Sequence, residues 1–465
     1  MFNRKKAHTP SIIEALILIV IIVGLMSISL MKYSAAPHIP ILLSILMLIT
    51  YGLMKKVPFK ILEEGMVNGA KSGLSAVFLF FLIGILIAAW MLSGTIPTLV
   101  FVGFKIVTVH YFYAIVFVVT AIVGMAIGSS LTTSATLGVA FIGIASALDA
   151  SLALTAGAIV SGAFFGDKMS PLSDTTNIAS TMMNVDLFEH IRNMAWTTVP
   201  AFIISFIIYA VCSPSVSTAN LNKLSNIQEA LLRTNLVHWY SIIPVVVLAI
   251  FAYKKISAFL TLAVNSLLAI ILSLFHHIPS GQELFQILFN GYVSKTGNEA
   301  IDSLLTRGGM NSMMFTVSLV ILALSMGGLL FTLEIIPVLL KALAKVLNKI
   351  GSVIMAAAFT AIGVNILIGE QYLSIILTGE AFQKPFENLG LANKNLSRVL
   401  EDAGTVVNPL IPWGVCGVFL TNVLGVSTID YLPFSFFCLL SPLLTIVFGW
   451  TGKTLTVNSK VIAKS

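Results

Sequence analysis

Long apolar runs alternate with short polar ones along the whole chain. Apolar segments fall near 12–32, 39–54, 74–93, 110–127, 135–165, 195–212, 239–253, 257–275, 313–331, 352–368, 406–424 and 431–450. Most approach the roughly 20 residues that a helix needs to cross the hydrocarbon core of a bilayer. None shows the apolar–polar alternation of a membrane-spanning strand. The pattern predicts an all-α polytopic membrane protein with about 10–12 transmembrane segments, some of them re-entrant hairpins or broken helices rather than full spans. Near the N-terminus, Arg4-Lys5-Lys6 precedes an apolar run from Ile12 to Met31. A secretory signal has the same order, but its apolar core is only about 7–15 residues long. The run is therefore read as a first transmembrane helix with a cytoplasmic N-terminus.

Composition sharpens this reading. The chain has 465 residues, 57% hydrophobic and 10% charged, whereas soluble domains carry about 25% charged residues. The net charge of +7 does not point to nucleic acid, because Lys and Arg gather at the ends of apolar segments, as the positive-inside bias requires. Arg4-Lys5-Lys6, Lys55-Lys56-Lys60, Lys254-Lys255, Lys341-Lys345-Lys349 and Lys453, Lys460 and Lys464 can all be cytoplasmic together. That arrangement places both termini on the cytoplasmic side of what is read as a bacterial inner membrane, and the nearly charge-balanced 213–236 and 276–312 loops outside. Cys212, Cys416 and Cys438 have no metal-ligand spacing and read as buried free thiols. The adjacent His276 and His277 read as a solvated loop. The lysines at 341, 345 and 349 read as a headgroup-facing stripe, and Lys60 to Lys71, with Glu63-Glu64, as an amphipathic interfacial helix.

The chain also looks duplicated. Ile96-Pro97 recurs as Ile336-Pro337, Ala121-Ile122 as Ala361-Ile362, Gly128-Ser129 as Gly369-Glu370, and Ser170-Pro171-Leu172 as Asn408-Pro409-Leu410, at offsets of 238–241 residues. The constant order suggests a first membrane repeat over 1–213, an external linker over 214–236 and a second repeat over 237–465. An odd number of crossings per half would invert one repeat relative to the other, the plan in which broken helices meet at the bilayer midplane.

Polar chemistry concentrates at the repeated positions. The run Gly166-Asp167-Lys168-Met169-Ser170-Pro171-Leu172-Ser173-Asp174-Thr175-Thr176-Asn177 begins at the end of a stretch, Leu152 to Gly166, without a single charged residue, and lies between hydrocarbon-length segments. Charge inside a span is costly and marks a pathway or a partner. Pro171 cannot continue the helical ladder, so the helix should unwind near Ser170-Pro171 and free backbone carbonyls. Ser170, Ser173, Thr175, Thr176 and Asn177 add side-chain oxygens, and hard cations take oxygen ligands. Asp167, Asp174, Thr175 and Asn177 are the candidate Na⁺ ligands, and the two carboxylates can take protons instead. The alternative is an ordinary loop with a proline turn and a helix cap. Lys168 is either a carboxylate partner or snorkels to the interface.

The second constellation, Ser129, Ser130, Thr132, Thr133 and Ser134 between Gly128 and Gly138, suits a re-entrant hairpin tip. It suits equally well hydroxyls that bond back to helix carbonyls. In the second half the candidates are Glu370, Gln371, Asp402, Thr405 and Asn408, with Glu370 and Asp402 as ion or proton ligands or as helix caps. No phosphate-binding glycine–lysine loop, nucleophile–base set or zinc motif is present. No enzyme activity, ATP drive or cofactor is expected.

At Gly166–Asn177 the chain resembles the NhaC-type sodium/proton antiporter family of the ion-transporter superfamily. The likeness extends to Trp90–Pro97, Arg307-Gly308-Gly309-Met310, Leu400-Glu401-Asp402-Ala403-Gly404-Thr405 and Pro412-Trp413. The resemblance implies a secondary active transporter with inverted repeats that exchanges Na⁺ and H⁺, with members that exchange organic acids such as malate for lactate or move amino acids. A homodimer is compatible with it. Gly414, Glu370 and Asn408 depart from the family's usual Asn, Asp and small hydroxyl residue. All three lie in the second half, where substrate contacts are expected.

Overall fold

The computed structural model describes residues 9–33, 35–106, 111–213, 228–254, 256–297, 302, 305–344 and 349–457. The N-terminal basic cluster, most of the proposed linker and the last lysines lie outside them. Among the described residues the chain is built from helices, with Tyr292–Arg307 and Leu391–Val457 as isolated bridges. It is an all-helical polytopic membrane protein. Among the described residues, five helices are long and apolar enough to cross a bilayer by themselves, and seven spans result if each of two bent helix pairs counts as one. Shorter apolar helices, among them His38–Met54, Phe112–Ile127 and Ala258–Ser273, account for other apolar segments. The outer faces of these helices, long and short, carry large exposed apolar side chains, such as Ile17, Ile207 and Leu267, as a lipid-facing surface demands.

The element order of 74–182 is repeated in 314–424. Leu74–Leu92 turns at Gly94 into Thr95–Ile106, and Met314–Thr332 turns at Glu334 into Ile335–Ala344. Both turn residues are left-handed, Gly94 at φ +73° and Glu334 at φ +57°. Phe112–Ile127 ends at Gly128 and Ile350–Ile368 ends at Gly369, with φ +71° and +75°. A left-handed C-terminal residue lets the chain double back after a helix. At each place the next residue caps the returning helix: Ser129 accepts from Thr132 N, and Glu370 accepts from Leu373 N. Two hairpins result, each followed by a helix that breaks.

The first break separates Leu152–Met169 from Asp174–Met182, and the second separates the turn Asn408–Leu410 from Val415–Leu424. The expected single segment 135–165 is in fact divided. Val139–Ala147 stops before Asp149, which is left-handed at φ +52°, and Ser151 caps Leu152–Met169 by accepting from Leu154 N. Asp149 and Ser151 supply turn and cap chemistry that the apolar flanks conceal. The 60–71 stretch forms the helix Phe59–Ser72, which packs closely on Met314–Thr332. A Cβ on Gly69 would lie 2.1 Å from Leu324 O, so small residues set that approach. Leu74–Leu92 packs on Ala258–Ser273. There Trp90 Nε1 donates to Asn265 Oδ1 at 2.8 Å, and Asn265 Nδ2 donates to Pro244 O at 2.7 Å. Cys416 and Cys438 are buried free thiols as expected, while Cys212 is exposed at a helix end.

Candidate functional site

Each hairpin tip sits against a helix break. A Cβ on Gly128 would meet the Leu172 side chain at 2.7 Å, and one on Gly369 would meet Gly414 Cα at 3.1 Å. Val415 N donates to Gly369 O at 2.7 Å, and Trp413 Nε1 donates to Ile366 O at 2.6 Å. At the first tip, Ser130 N and Ser130 Oγ both donate to Asp167 Oδ2, at 3.0 and 2.7 Å. The tip therefore closes directly onto a carboxylate near the end of Leu152–Met169, the helix that leads into the first break.

A cavity of about 750 Å³ opens where these pieces meet. Ser129, Ser130 and Thr132 line it from the first tip, and Asp167, Pro171, Asp174, Thr175 and Asn177 from the first break. Glu370, Gln371 and Tyr372 line it from the second tip, and Val415 and Cys416 from the helix after the second break. Phe78, Leu79, Ile83, Leu262, Val320 and Leu324 form an apolar wall. Among the described residues lining it there is no Lys or Arg. No group of three His, Cys, Asp or Glu side chains converges to hold a metal among the described residues. A cation here would draw on one carboxylate together with hydroxyls, amides and carbonyls.

The break itself is held by short polar bonds. Ser170 Oγ accepts from Leu172 N at 3.2 Å. Ser173 caps Asp174–Met182 by accepting from Thr176 N, and its hydroxyl pairs with Thr175 Oγ1 at 3.0 Å. Thr176 Oγ1 donates to Lys168 O at 3.1 Å, and Asn177 Nδ2 donates to Pro171 O and Ser173 O at 3.1 and 2.7 Å. Asp174 stands in the first turn of its helix, where the exposed N–H groups favour negative charge. Ser170, Ser173 and Thr176 thus shape the break, while Asp174, Thr175 and Asn177 face the cavity.

The hydroxyl-rich first tip satisfies both sequence readings. Ser129, Ser130 and Thr132 face the cavity, whereas Thr133 Oγ1 donates back to Ser129 O at 2.8 Å. Ser134 Oγ is buried without a partner among the described residues. Glu370 is both a helix cap and a cavity wall.

Asp402, Thr405 and Asn408 do not line the cavity. Asp402 forms a fully buried ion pair with Lys168. It also accepts from Thr197 Oγ1 at 3.2 Å, from Ser441 Oγ at 2.8 Å and from Thr445 Oγ1. Lys168 therefore points away from the cavity that its neighbour Asp167 faces, and it joins the two halves of the chain. Asn408 is structural: Nδ2 donates to Asn365 Oδ1 at 2.8 Å, and Oδ1 accepts from Cys416 N at 2.9 Å. Thr405 Oγ1 is buried without a partner among the described residues. Sequence reasoning missed Tyr372 and Cys416 as cavity residues and Asn365 as the bridge between Gly404 O (2.6 Å) and Asn408. The aromatic and the thiol gave no polar signal, and Asn365 lies inside an otherwise apolar run.

Paired hairpin tips, broken helices and a carboxylate-lined cavity define a membrane protein built around an ion pathway. The Na⁺/H⁺ antiporter family model matches residues 162–453, and the chain belongs to that family. It is 42% identical to the Na⁺/H⁺ antiporter NhaC of Alkalihalophilus pseudofirmus, over 94% of this chain and 95% of that protein. It is 40% identical to the Na⁺/H⁺ antiporter NhaC of Bacillus subtilis, over 90% and 93%. The malate-2H⁺/Na⁺-lactate antiporter of Bacillus subtilis is 31% identical over 99% of both chains.

Proposed function

We propose that this protein is a secondary active transporter that exchanges Na⁺ for H⁺ in a bacterial cytoplasmic membrane. The observation that carries the reading is the gathering of Asp167 and Asp174 from the first break and Glu370 from the second tip around one cavity that, among the described residues, has no Lys or Arg in its lining. It is supported by the family membership and by the names of the NhaC relatives. The carboxylates present negative charge in a partly desolvated space, which both Na⁺ and H⁺ neutralise. Na⁺ takes oxygens from Asp167 or Asp174 with Ser130, Thr175 and Asn177. A proton takes the same carboxylate in its absence. The Ser130 hydrogen bonds to Asp167 occupy that carboxylate while the tip is closed and are replaced when an ion enters. Alternating access then carries the loaded site from one face to the other. The element repetition supports two inverted repeats, and the basic flanks support cytoplasmic termini.

A second reading is coupled exchange of a small organic acid or an amino acid. The malate–lactate relative favours it, as does a cavity well within the roughly 300–1,000 Å³ range of small-molecule sites. Against it, the cavity has no Lys or Arg among its described lining residues to meet a carboxylate, since Lys168 is committed to Asp402. Proteoliposomes with a trapped pH dye separate the two. Na⁺ alone should drive proton flux. Silence with Na⁺, followed by flux on adding malate, lactate or an amino acid, would replace the first reading with the second.

A further inference from the structure

Next to Asp402, a second carboxylate is buried without any bond. Glu401 is 0% exposed, and neither of its oxygens has a hydrogen-bond partner among the described residues. Both acids stand in the π-helical turn Leu400–Thr405, a widened turn of the kind that recurs at functional sites. Lys168, Thr197, Ser441 and Thr445 donate to Asp402, and Lys168 also donates to Ser441 Oγ at 3.0 Å. The Lys168 ammonium is thereby paired with Asp402, and Glu401 has no ion-pair partner among the described residues, with the Thr405 hydroxyl of its own turn beside it.

The charges acting on Glu401 are Lys168 and Asp167 from Leu152–Met169 and Asp402 from its own turn. Among the elements packed on the turn, Asn393–Val399 brings a second buried cation, Arg398, whose charge acts on Asp402. Ile350–Ile368 has no titratable side chain. In Asn393–Val399, Lys394 pairs with Glu189, and Arg398 donates to Thr454. On Gln371–Asn388, Tyr372 lines the cavity, and Glu380, Lys384 and Glu387 are exposed. Asp174 of Asp174–Met182 faces the cavity, and Phe436–Thr451 contributes the buried thiol of Cys438 beside its two hydroxyls. His190, from Leu187–Cys212, bonds to Ser397 Oγ at 2.8 Å. An unpaired buried carboxylate is far costlier than a buried acid, so the lack of any bond to its oxygens favours the protonated form of Glu401 in this state. Glu401 is outside the cavity lining.

We propose that Glu401 is a second proton-carrying site of the exchange, distinct from the cavity carboxylates, with Lys168 as its counter-charge. This rests on the Na⁺/H⁺ reading above. The Glu401 O–H bond breaks when the pocket opens to water, the proton passes to that water, and Lys168 is then shared between Glu401 and Asp402. Because Lys168 adjoins Asp167 in the chain, that redistribution is felt at the ion cavity. More than one proton then moves per Na⁺, and the exchange carries net charge.

The test compares wild type and Glu401→Gln in proteoliposomes, with proton flux driven by Na⁺ and a membrane potential imposed by K⁺ and valinomycin. Glutamine keeps the shape of the neutral acid. The wild type should respond to the potential, and Glu401→Gln should retain Na⁺/H⁺ exchange that no longer responds. A variant as potential-sensitive as wild type, or a wild type insensitive to potential, would overturn the proposal. A wild type with no Na⁺-dependent proton flux at all would sink the Na⁺/H⁺ reading itself. A second measurement needs no variant. Saturating the purified wild type with Na⁺ in weakly buffered detergent should release more than one proton per molecule, and release of one or none would contradict the assignment.

Discussion

Adjacent residues on one helix do opposite work here. Asp167 faces the cavity and is held by Ser130, while Lys168 is buried on the other side against Asp402. Successive residues on a helix are about 100° apart, so which of the two faces the ion path depends on how the helix is rotated in the packed protein. The sequence could show that Asp167, Lys168 and Asp402 were out of place in hydrocarbon, but not which were partners. Breaking a buried pair strands its partner at a cost of about 3–5 kcal/mol. Asp402→Ala should therefore lower thermal stability in detergent sharply, and combining it with Lys168→Met should recover much of the loss. An Asp402→Ala protein as stable as wild type would contradict the pairing.

His276 offers a milder test outside the spans. It bonds to Leu92 O at 3.1 Å and to Tyr240 OH at 3.2 Å. Burial, with His238 and His277 nearby, holds its imidazole below the usual histidine range. Its contribution is complete above about pH 6.5 and is lost as the pH falls below that, because the unfolded chain takes the proton first. His276→Gln should thus lose less stability than wild type between about pH 7.5 and 5.5. Equal losses in thermal unfolding would count against it.

At the scale of elements, the breaks were legible because proline and clustered hydroxyls announced them. Pro171 and Pro412 lie at the unwound positions, with Pro409 in the turn just before the second. The tips were half legible. Gly128 and Gly369 showed as a repeat, but the Gln371–Asn388 helix beyond the second tip was hidden by its low apolar content. The 148–151 break was hidden for the opposite reason, two polar residues inside a rich apolar run. The tips depend on left-handed backbone, which Asn adopts far more readily than a β-branched residue. Gly369→Asn should therefore keep Na⁺-driven flux, whereas Gly369→Val should lose it with insertion intact. Equal activity in both would show that the tip does not need this conformation.

Seen as a whole, the molecule places apolar surface outward, glycine-mediated contacts within the scaffold, and a cavity lined by carboxylates and hydroxyls between tips and breaks. The helical membrane class followed from composition, and the region of the site followed from where charge interrupts hydrocarbon. The division between a cavity lined by Asp167, Asp174 and Glu370 and a separate buried ion pair at Lys168–Asp402 needed three-dimensional packing. The central claim is that the cavity carboxylates exchange Na⁺ for H⁺. Its most direct test is Na⁺-driven proton flux through reconstituted Asp167→Asn and Asp174→Asn proteins beside wild type, each checked for normal insertion. The account predicts flux in wild type and none in either variant. Wild-type rates and Na⁺ affinity in both would contradict it.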